Sequence, residues 1–449
     1  MNDIKIYELQ KTEYLKMPYM PISKRKELLT KLYDLVKNNE KKIMDALYLD
    51  LNKSPNEAYF AEIGLVLKSI KYNLKHLAKW AKPKRVKTPI TLFSGTSKII
   101  YEPLGLTLII SPWNYPFYLS LSPLIAAIAA GNRAIIKPSE FSRHTTNVLI
   151  ELINNTFDPK YVYVIEPSIE NITKLLEHRF DLIFFTGSER VGTIISEKAS
   201  KYHTPVVLEL GGKSPTVIFD DIDLKFAAKK ILFGKLVNAG QTCVAADYVC
   251  VPKNKANEFI KYANEIVEEW LTKRPENNKE YPKIITSEHH ERLNQYLPKD
   301  LQNRCINQKI VPYIYRTDWQ DPIMKHEIFG PILPVIEYKN INEVYDFIKH
   351  FGKPLASYVF SKNNDYINDF SKHISAGSLV INETLSQLSS DYLPFGGVGS
   401  SGTGRYHGFE GFKTFSNAKA FYKKGKLGFN LAYHPYNEKK LNILKKLVK

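Results

Sequence analysis

Cysteine is scarce, with three residues in 449, at positions 243, 250 and 305. The number is odd, and the spacing matches neither a disulfide framework nor a zinc site. A reducing compartment and a free, reactive thiol are expected, with no metal. Long apolar runs are missing too. The longest, Phe117 to Ala130, contains Pro123 and is too short to span a bilayer. The first residues lack the basic segment, apolar core and cleavage site of a secretory signal. A soluble, cytoplasmic protein is the expectation. Acidic residues are outnumbered: 46 Asp and Glu face 63 Lys and Arg, a net charge of +17. No basic stripe interleaved with aromatics occurs, nor any nucleic-acid motif, so the excess reads as a lysine-rich solvated surface and not as a nucleic-acid footprint. There is no internal repeat and no low-complexity tract.

What is present is a globular composition: 44% hydrophobic residues, 22 Gly and 25 Pro, in a chain long enough for two or three full cores. Residues 20 to 80 read as helices, with Lys24 to Lys37 and Asn56 to Lys75 carrying apolar residues at helical spacing. Lys82 to Pro89 reads as a basic linker. Ser97 to Glu102 reads as extended, half of a hairpin that leaves the domain.

From Pro103 to Leu210 strand and helix alternate. Strands are expected at Leu106–Ile110, Arg133–Lys137, Tyr161–Ile165, Asp181–Phe185 and Val206–Leu210, with helices between them. Such a pattern gives a parallel sheet covered on both faces, with ligands past the carboxyl ends of its strands. A second alternating region follows, with strands at Thr216–Phe219, Tyr248–Val251, Ile332–Ile336, Ala356–Phe360 and Ser378–Ile381. The tail from Lys439 to Lys449 spaces Leu441, Leu444, Leu447 and Val448 helically between lysines. Its expected resting place is the protein body or a partner subunit, in preference to a membrane surface.

Chemistry-bearing residues cluster at strand ends. Cys243 lies in a short polar turn after Gly240, between a helical run and a strand. Upstream, Val207-Leu-Glu-Leu-Gly-Gly-Lys213 ends an apolar run in Glu209. A thiol and a carboxylate base are two parts of acyl chemistry through a thioester. The first strand enters Ser111-Pro-Trp-Asn-Tyr-Pro116, where Asn114 offers a neutral NH2 donor suited to an oxyanion. The second ends in Lys137-Pro-Ser-Glu140, a pair able to bind ribose hydroxyls. The fourth enters Gly187-Ser188 and a helix N-terminus, a seat for a diphosphate. A formal G-x-G-x-x-G, Gly397 to Gly402, follows no strand and reads as a decoy. The surrounding loop, Leu393 to Arg405, is glycine-rich enough for close backbone approach to a site or to another subunit.

Taken in order, these segments resemble the aldehyde dehydrogenase superfamily. Val207 to Lys213 and Gly240-Gln-Thr-Cys-Val-Ala246 resemble its glutamate and cysteine signatures. Pro112-Trp-Asn, Lys137-Pro-Ser-Glu, Phe185-Thr-Gly-Ser, Glu327-Ile-Phe-Gly-Pro and Pro394-Phe-Gly-Gly with Ser401 to Arg405 match further motifs, from about residue 5 to residue 420. The short N-terminus and Cys243-Val-Ala-Ala-Asp-Tyr resemble the class 3, or fatty and aromatic aldehyde, branch, which implies a homodimer.

The resemblance implies an α/β fold with a Rossmann-like NAD-binding domain (1–82 and 103–209), a second α/β catalytic domain (210–393), a small β oligomerisation arm (83–102 and 394–425) and a basic tail (426–449). It implies NAD-dependent oxidation of a medium- or long-chain aliphatic or aromatic aldehyde to the acid. Cys243 attacks as a thiolate of depressed pKa, Asn114 and the Cys243 N–H hold the oxyanion, and Glu209 activates the hydrolytic water. Lys137 and Glu140 would meet the adenosine ribose, the anionic Glu140 arguing for NAD over NADP. Gly187 and Ser188 would meet the diphosphate, Glu327 the nicotinamide ribose, and Phe329 the ring, with Ile110, Trp113 and Leu210 completing the cofactor site. Tyr115, Tyr118 and Leu385 are expected to line an apolar tunnel. A CoA-acylating dehydrogenase or a thiol esterase is the alternative, against which Glu209 counts. A binding protein on this fold is opposed by the intact Cys243, Glu209 and Asn114. Two departures from the family pattern stand out: His326 replaces an acidic residue before Glu327, and a glycine-containing hairpin is poorly recognisable in Leu297 to Gln308.

Overall fold

The computed structural model describes residues 3–428 and 431–448. Fifteen strands follow in chain order among the described residues. They are β1 (Lys84–Val86), β2 (Thr96–Pro103), β3 (Leu106–Ile110), β4 (Arg133–Lys137), β5 (Val162–Val164), β6 (Leu182–Gly187), β7 (Val206–Leu210) and β8 (Pro215–Ile218). Then come β9 (Tyr248–Pro252), β10 (Tyr313–Thr317), β11 (Ile332–Tyr338), β12 (Ala356–Phe360), β13 (Ser378–Ile381), β14 (Gly402–Thr403) and β15 (Ser416–Lys423).

They form three sheets. The first has the order β14-β7-β6-β3-β4-β5, parallel except for β14. Every residue of β3 and β4 is buried, as apolar runs sandwiched between helices must be. The helix Pro116–Ala130 is buried along its whole length, which explains why its sequence shows almost no polar face. The second sheet, β10-β11-β9-β8-β12-β13, is wholly parallel. The third is antiparallel, β1-β2-β15, with β2 and β15 paired over eight residues.

The alternating pattern therefore reads through to the fold. Two differences have physical causes. The basic stretch at 82–89 is not a bare linker, because Lys84–Val86 pairs with Ser97–Ile99 as an edge strand whose two charged residues face solvent. Strand β10 lies at a sheet edge, with only Ile314 buried between half-buried Tyr313 and Tyr315 and with polar Arg316 and Thr317 after them, so it lacks the apolar run that marks its neighbours. The segment 297–308 carries a short helix, Lys299–Gln302, in place of a hairpin. The tail forms a helix, Glu438–Val448, against Ile90–Leu92. Its apolar stripe is only partly covered: Leu444 and Leu447 are half-buried, while Leu441 is exposed. The side chain of Val448, and Lys449, lie outside the described residues. Among the described residues no helix is long and apolar enough to cross a membrane.

Candidate active site

The carboxyl edge of the first sheet brings four predicted residues into one row. Ile110 at the end of β3 pairs with Lys137 on one side and Phe185 on the other, and Gly187 pairs with Leu210. Lys137 Nζ lies 2.6 Å from Glu140 Oε2. Burial pushes the Glu140 carboxyl up, but the Lys137 bond and a backbone N–H outweigh it and hold the group below its ordinary value. Ser188 caps the helix Glu189–Ser200 from an extended conformation, with its side chain unused by the cap. The approach here is tight. A Cβ on Gly187 would meet the Phe185 ring at 2.5 Å, and one on Gly192 would meet Leu210 Cδ2 at 2.8 Å. The result is a helix N-terminus with free N–H groups at a sheet edge, which suits an anionic group.

The cysteine loop is built from left-handed backbone. After the helix Leu224–Leu236, φ is +53° at Asn238, +50° at Ala239 and +75° at Gly240. A Cβ at Gly240 would lie 2.4 Å from Gly330 O, so only glycine fits. Each non-glycine left-handed residue costs roughly 1–2 kcal/mol, so the surroundings must hold it. They do. Asn238 N–H donates to Glu57 Oε1 (2.7 Å), Asn238 Nδ2 to Asn114 O (2.8 Å), and Gln241 Nε2 to Asn238 O and Lys283 O (3.0 Å each).

Asn114 is buried and its Nδ2 donates to Gln241 O at 3.0 Å, which fixes its amide beside the thiol loop with a second N–H to spare. Tyr115 OH lies 2.6 Å from Thr242 Oγ1, next to Cys243. Cys243 itself is partly exposed, and its own N–H and that of Val244 face the sulfur.

The direction of the thiol pKa corrects the sequence expectation. Burial, then the negative charges of Glu327 and Glu209, push Cys243 well above its ordinary value, and the two backbone N–H groups oppose this without reversing it. The thiolate fraction of the free protein at neutral pH is therefore small. Alkylation of Cys243 by iodoacetamide is expected to be at least about 10-fold slower at pH 7 than for a model thiol, and to climb steadily to pH 9 and beyond. Mass spectrometry of the modified peptide measures this; a rate already level above pH 7 would contradict it.

Glu209 is 3% exposed, and neither of its carboxylate oxygens has a hydrogen-bond partner. Burial pushes its pKa well up, with Arg405 pulling the other way. The glycine-rich loop explains how it is enclosed. Gly402 pairs directly with Glu209 across β14 and β7, in a conformation (φ +132°) where a Cβ would collide with Leu208 O at 2.0 Å. A Cβ on Gly396 would lie 3.0 Å from Glu209 Oε1. The formal G-x-G-x-x-G is thus a crossing over Glu209 and not a strand-to-helix turn.

Glu327 reaches the same place from the second sheet's side. A Cβ on Gly211 would touch its Oε2 at 2.2 Å. Burial raises its pKa to about 8 and Asp247 adds to the rise, while the Gly212 N–H and the lysines 213 and 235 oppose it. Phe329 has a left-handed backbone (φ +51°), and its ring stands edge-on to Trp113 at 5.4 Å. His326 contributes its carbonyl to Lys213 Nζ (2.9 Å), so its side chain is not needed for that bond. Tyr118 OH lies 2.8 Å from His407 Nε2, and Leu385 is buried in a left-handed conformation.

Sequence reasoning missed Lys53, Glu57, Glu62, Asn238 and Arg405. A faint signal was available for Glu62, a charge set between Ala61 and Ile63 on the apolar face of a helical segment.

A sequence model of the Aldehyde dehydrogenase family matches residues 5–421. The chain is 42% identical over 430 residues to 4,4'-diaponeurosporen-aldehyde dehydrogenase of Staphylococcus aureus, covering 93% of each. It is 40% identical over 432 residues to Aldehyde dehydrogenase family 3 member H1 of Arabidopsis thaliana, covering 94% of this chain and 89% of the relative. The solved substrate-bound state of Staphylococcus aureus AldH superposes with a TM-score of 0.95 at 40% identity, over 100% of both chains.

Proposed function

Given that the chain belongs to the aldehyde dehydrogenase family, and so is an enzyme of nicotinamide-dependent aldehyde oxidation, we propose that it converts an apolar aldehyde to the carboxylic acid through Cys243. The observation that carries this reading is the buried Glu209 carboxyl with both oxygens unpartnered, in electrostatic reach of a partly exposed thiol. Cys243 as thiolate attacks the carbonyl carbon. The Asn114 NH2 and the Cys243 N–H hold the oxygen that becomes anionic. The nicotinamide cofactor, when bound, would supply the hydride acceptor. Loss of hydride from the thiohemiacetal carbon leaves a thioester on Cys243. Glu209 takes a proton from water, the hydroxide attacks the thioester carbon, the C–S bond breaks, and the acid departs as the thiolate returns.

The cofactor fits the residues present. The N-terminal turn of the helix Glu189–Ser200, entered through Gly187 and Ser188, would meet the diphosphate, and Lys137 with Glu140 would hold the adenosine ribose. Glu327 would take the nicotinamide ribose, with Phe329, Trp113, Ile110 and Leu210 as apolar walls. NAD is the proposed form because Glu140 is anionic where a 2′-phosphate would come. Glu140→Gln removes that charge and frees Lys137. It is expected to raise the kcat/KM ratio for NADP over NAD by about 10-fold, read from initial rates with each cofactor.

On this reading the first sheet is the cofactor domain, the second carries the nucleophile, and the β1-β2-β15 sheet joins two copies. Exposed Ile90, Leu92, Phe421 and Tyr422 beside that sheet support a homodimer. An apolar substrate is supported by the buried Tyr115, Tyr118 and Leu385. Medium- or long-chain aliphatic and aromatic aldehydes fit such walls.

The test is formation of reduced cofactor with hexanal, decanal, benzaldehyde and a sugar-derived aldehyde, with NAD and then NADP. Decanal or benzaldehyde should lead. If no aldehyde reduces either cofactor, the proposal fails.

A further inference from the structure

We propose that Lys53, together with Glu62, is a positioning residue for this reaction, holding the Asn114 loop and the Cys243 loop in register. The proposal rests on the reading of Asn114 and Cys243 as the reacting pair. Lys53 and Glu62 are completely buried, and Nζ lies 2.6 Å from Glu62 Oε1. Lys53 Nζ also donates to Asn114 O at 2.8 Å and sits 4.1 Å above the centre of the Tyr115 ring. Glu62 Oε2 accepts the Phe117 and Tyr118 N–H groups at 2.9 and 3.1 Å, in the first turn of the helix Pro116–Ala130. Residues 114 to 118 are thus gripped at a carbonyl, a ring and two N–H groups by one ion pair.

The same segment reaches the thiol loop. Glu57 Oε1 takes the Asn238 N–H, and Asn238 Nδ2 returns to Asn114 O, the atom that Lys53 also holds. Asn114 O is therefore the junction where an ammonium from the N-terminal helices and an amide from the thiol loop meet. Tyr115 OH against Thr242 Oγ1 makes a second strut between the two loops. The local backbone is shaped for the purpose. Ser54 Oγ accepts the Glu57 N–H as a cap, Pro55 opens the helix, and Tyr59–Ile63 is a five-residue π turn, whose wider circumference re-aims the side chains that follow its first residue, with Glu62 fully buried.

Stability alone does not explain the pair. An apolar pair of the same volume would hold the helices together as well, since desolvation of a buried ammonium and carboxylate consumes most of their attraction. What apolar side chains cannot do is fix one carbonyl and two N–H groups in a set direction. The Asn114 side chain springs from the backbone so fixed, and a displacement of about 1 Å at such a donor costs about 10²-fold in rate.

The experiment compares Lys53→Met, Lys53→Arg and Glu62→Gln, each alone and with Asn114→Ala, against wild type and a Cys243→Ala blank. Rates are expressed per folded chain, from circular dichroism and thermal melts. Lys53→Met is expected to lower kcat by about 10- to 100-fold with the aldehyde KM within about 3-fold, and Lys53→Arg to recover part of the loss. Glu62→Gln, which keeps shape and an acceptor, is expected to cost about 10-fold and carries the test if Lys53→Met does not fold. In the Asn114→Ala background each substitution should cost less than about 3-fold further, because the bracket acts through Asn114. Wild-type kcat in folded Lys53→Met and Glu62→Gln, or losses that add in full to that of Asn114→Ala, would overturn the proposal while leaving the site reading intact. Activity retained in Cys243→Ala would overturn both.

Discussion

Replacing Cys243 by alanine is expected to lower aldehyde-dependent reduction of the cofactor by roughly 10⁵-fold, the scale on which loss of a covalent nucleophile is felt. No neighbour can stand in. Cys250 is fully buried within β9, and burial pushes its thiol well up. Cys305 is held in the 297–311 segment, where its sulfur donates to Leu301 O and accepts the Val311 N–H. Neither is drawn to the edge where Asn114 and Glu209 converge. Substitution by alanine is also gentle on the fold, since Cys243 is small and partly exposed, so unfolding should not explain the loss. Absorbance of the reduced cofactor at saturating decanal measures the effect. Residual activity within about 10-fold of wild type would exclude the thiol as the nucleophile.

The second large effect concerns Glu209. Glu209→Gln is nearly isosteric and cannot take a proton. It should leave the first half of the reaction intact and stall the second. The expected result is a burst of about one reduced cofactor per active chain, followed by turnover slowed by about 10²- to 10⁴-fold, the range for a lost general base. Added hydroxylamine should restore turnover, because it attacks the thioester without needing a base. Steady turnover at the wild-type rate would mean that another group activates water. The pH dependence has a definite sign. Burial raises the Glu209 pKa, and the base form is the ionised one, so the wild-type hydrolytic rate should climb as pH rises through that value. If the wild type instead releases acyl-CoA faster than acid when CoA is present, the acylating alternative takes over.

Much of the fold was legible because its strands are short apolar runs stopped by Gly, Pro or Asn. Leu106–Ile110, Arg133–Lys137, Val206–Leu210, Ala356–Phe360 and Ser378–Ile381 match the observed strands residue for residue. The helices Asp3–Lys16 and Glu40–Leu51 were not singled out, and the first is so weakly amphipathic that its pattern gives little to read. In the site, the residues that announced themselves sit at strand ends, where a local motif and its place in the sheet coincide. Lys53, Glu57 and Glu62 did not. Their partners lie at 114–118 and 238, and no spacing along the chain encodes that meeting. The thiol pKa escaped for a related reason, because burial and the charge of Glu327, far along the chain, decide its direction.

The pairing of Gly402 with Glu209 also has a consequence in time. As the chain leaves the ribosome, β3 to β7 can assemble long before the last segment has been made. Until residues 396 to 405 arrive, β7 remains an open edge and Glu209 lies uncovered, in contact with water. Synthesis order thus makes closure over Glu209 a late step, since β14 and the fully buried Phe412 and Phe415 that follow it are made after every other strand of the first sheet.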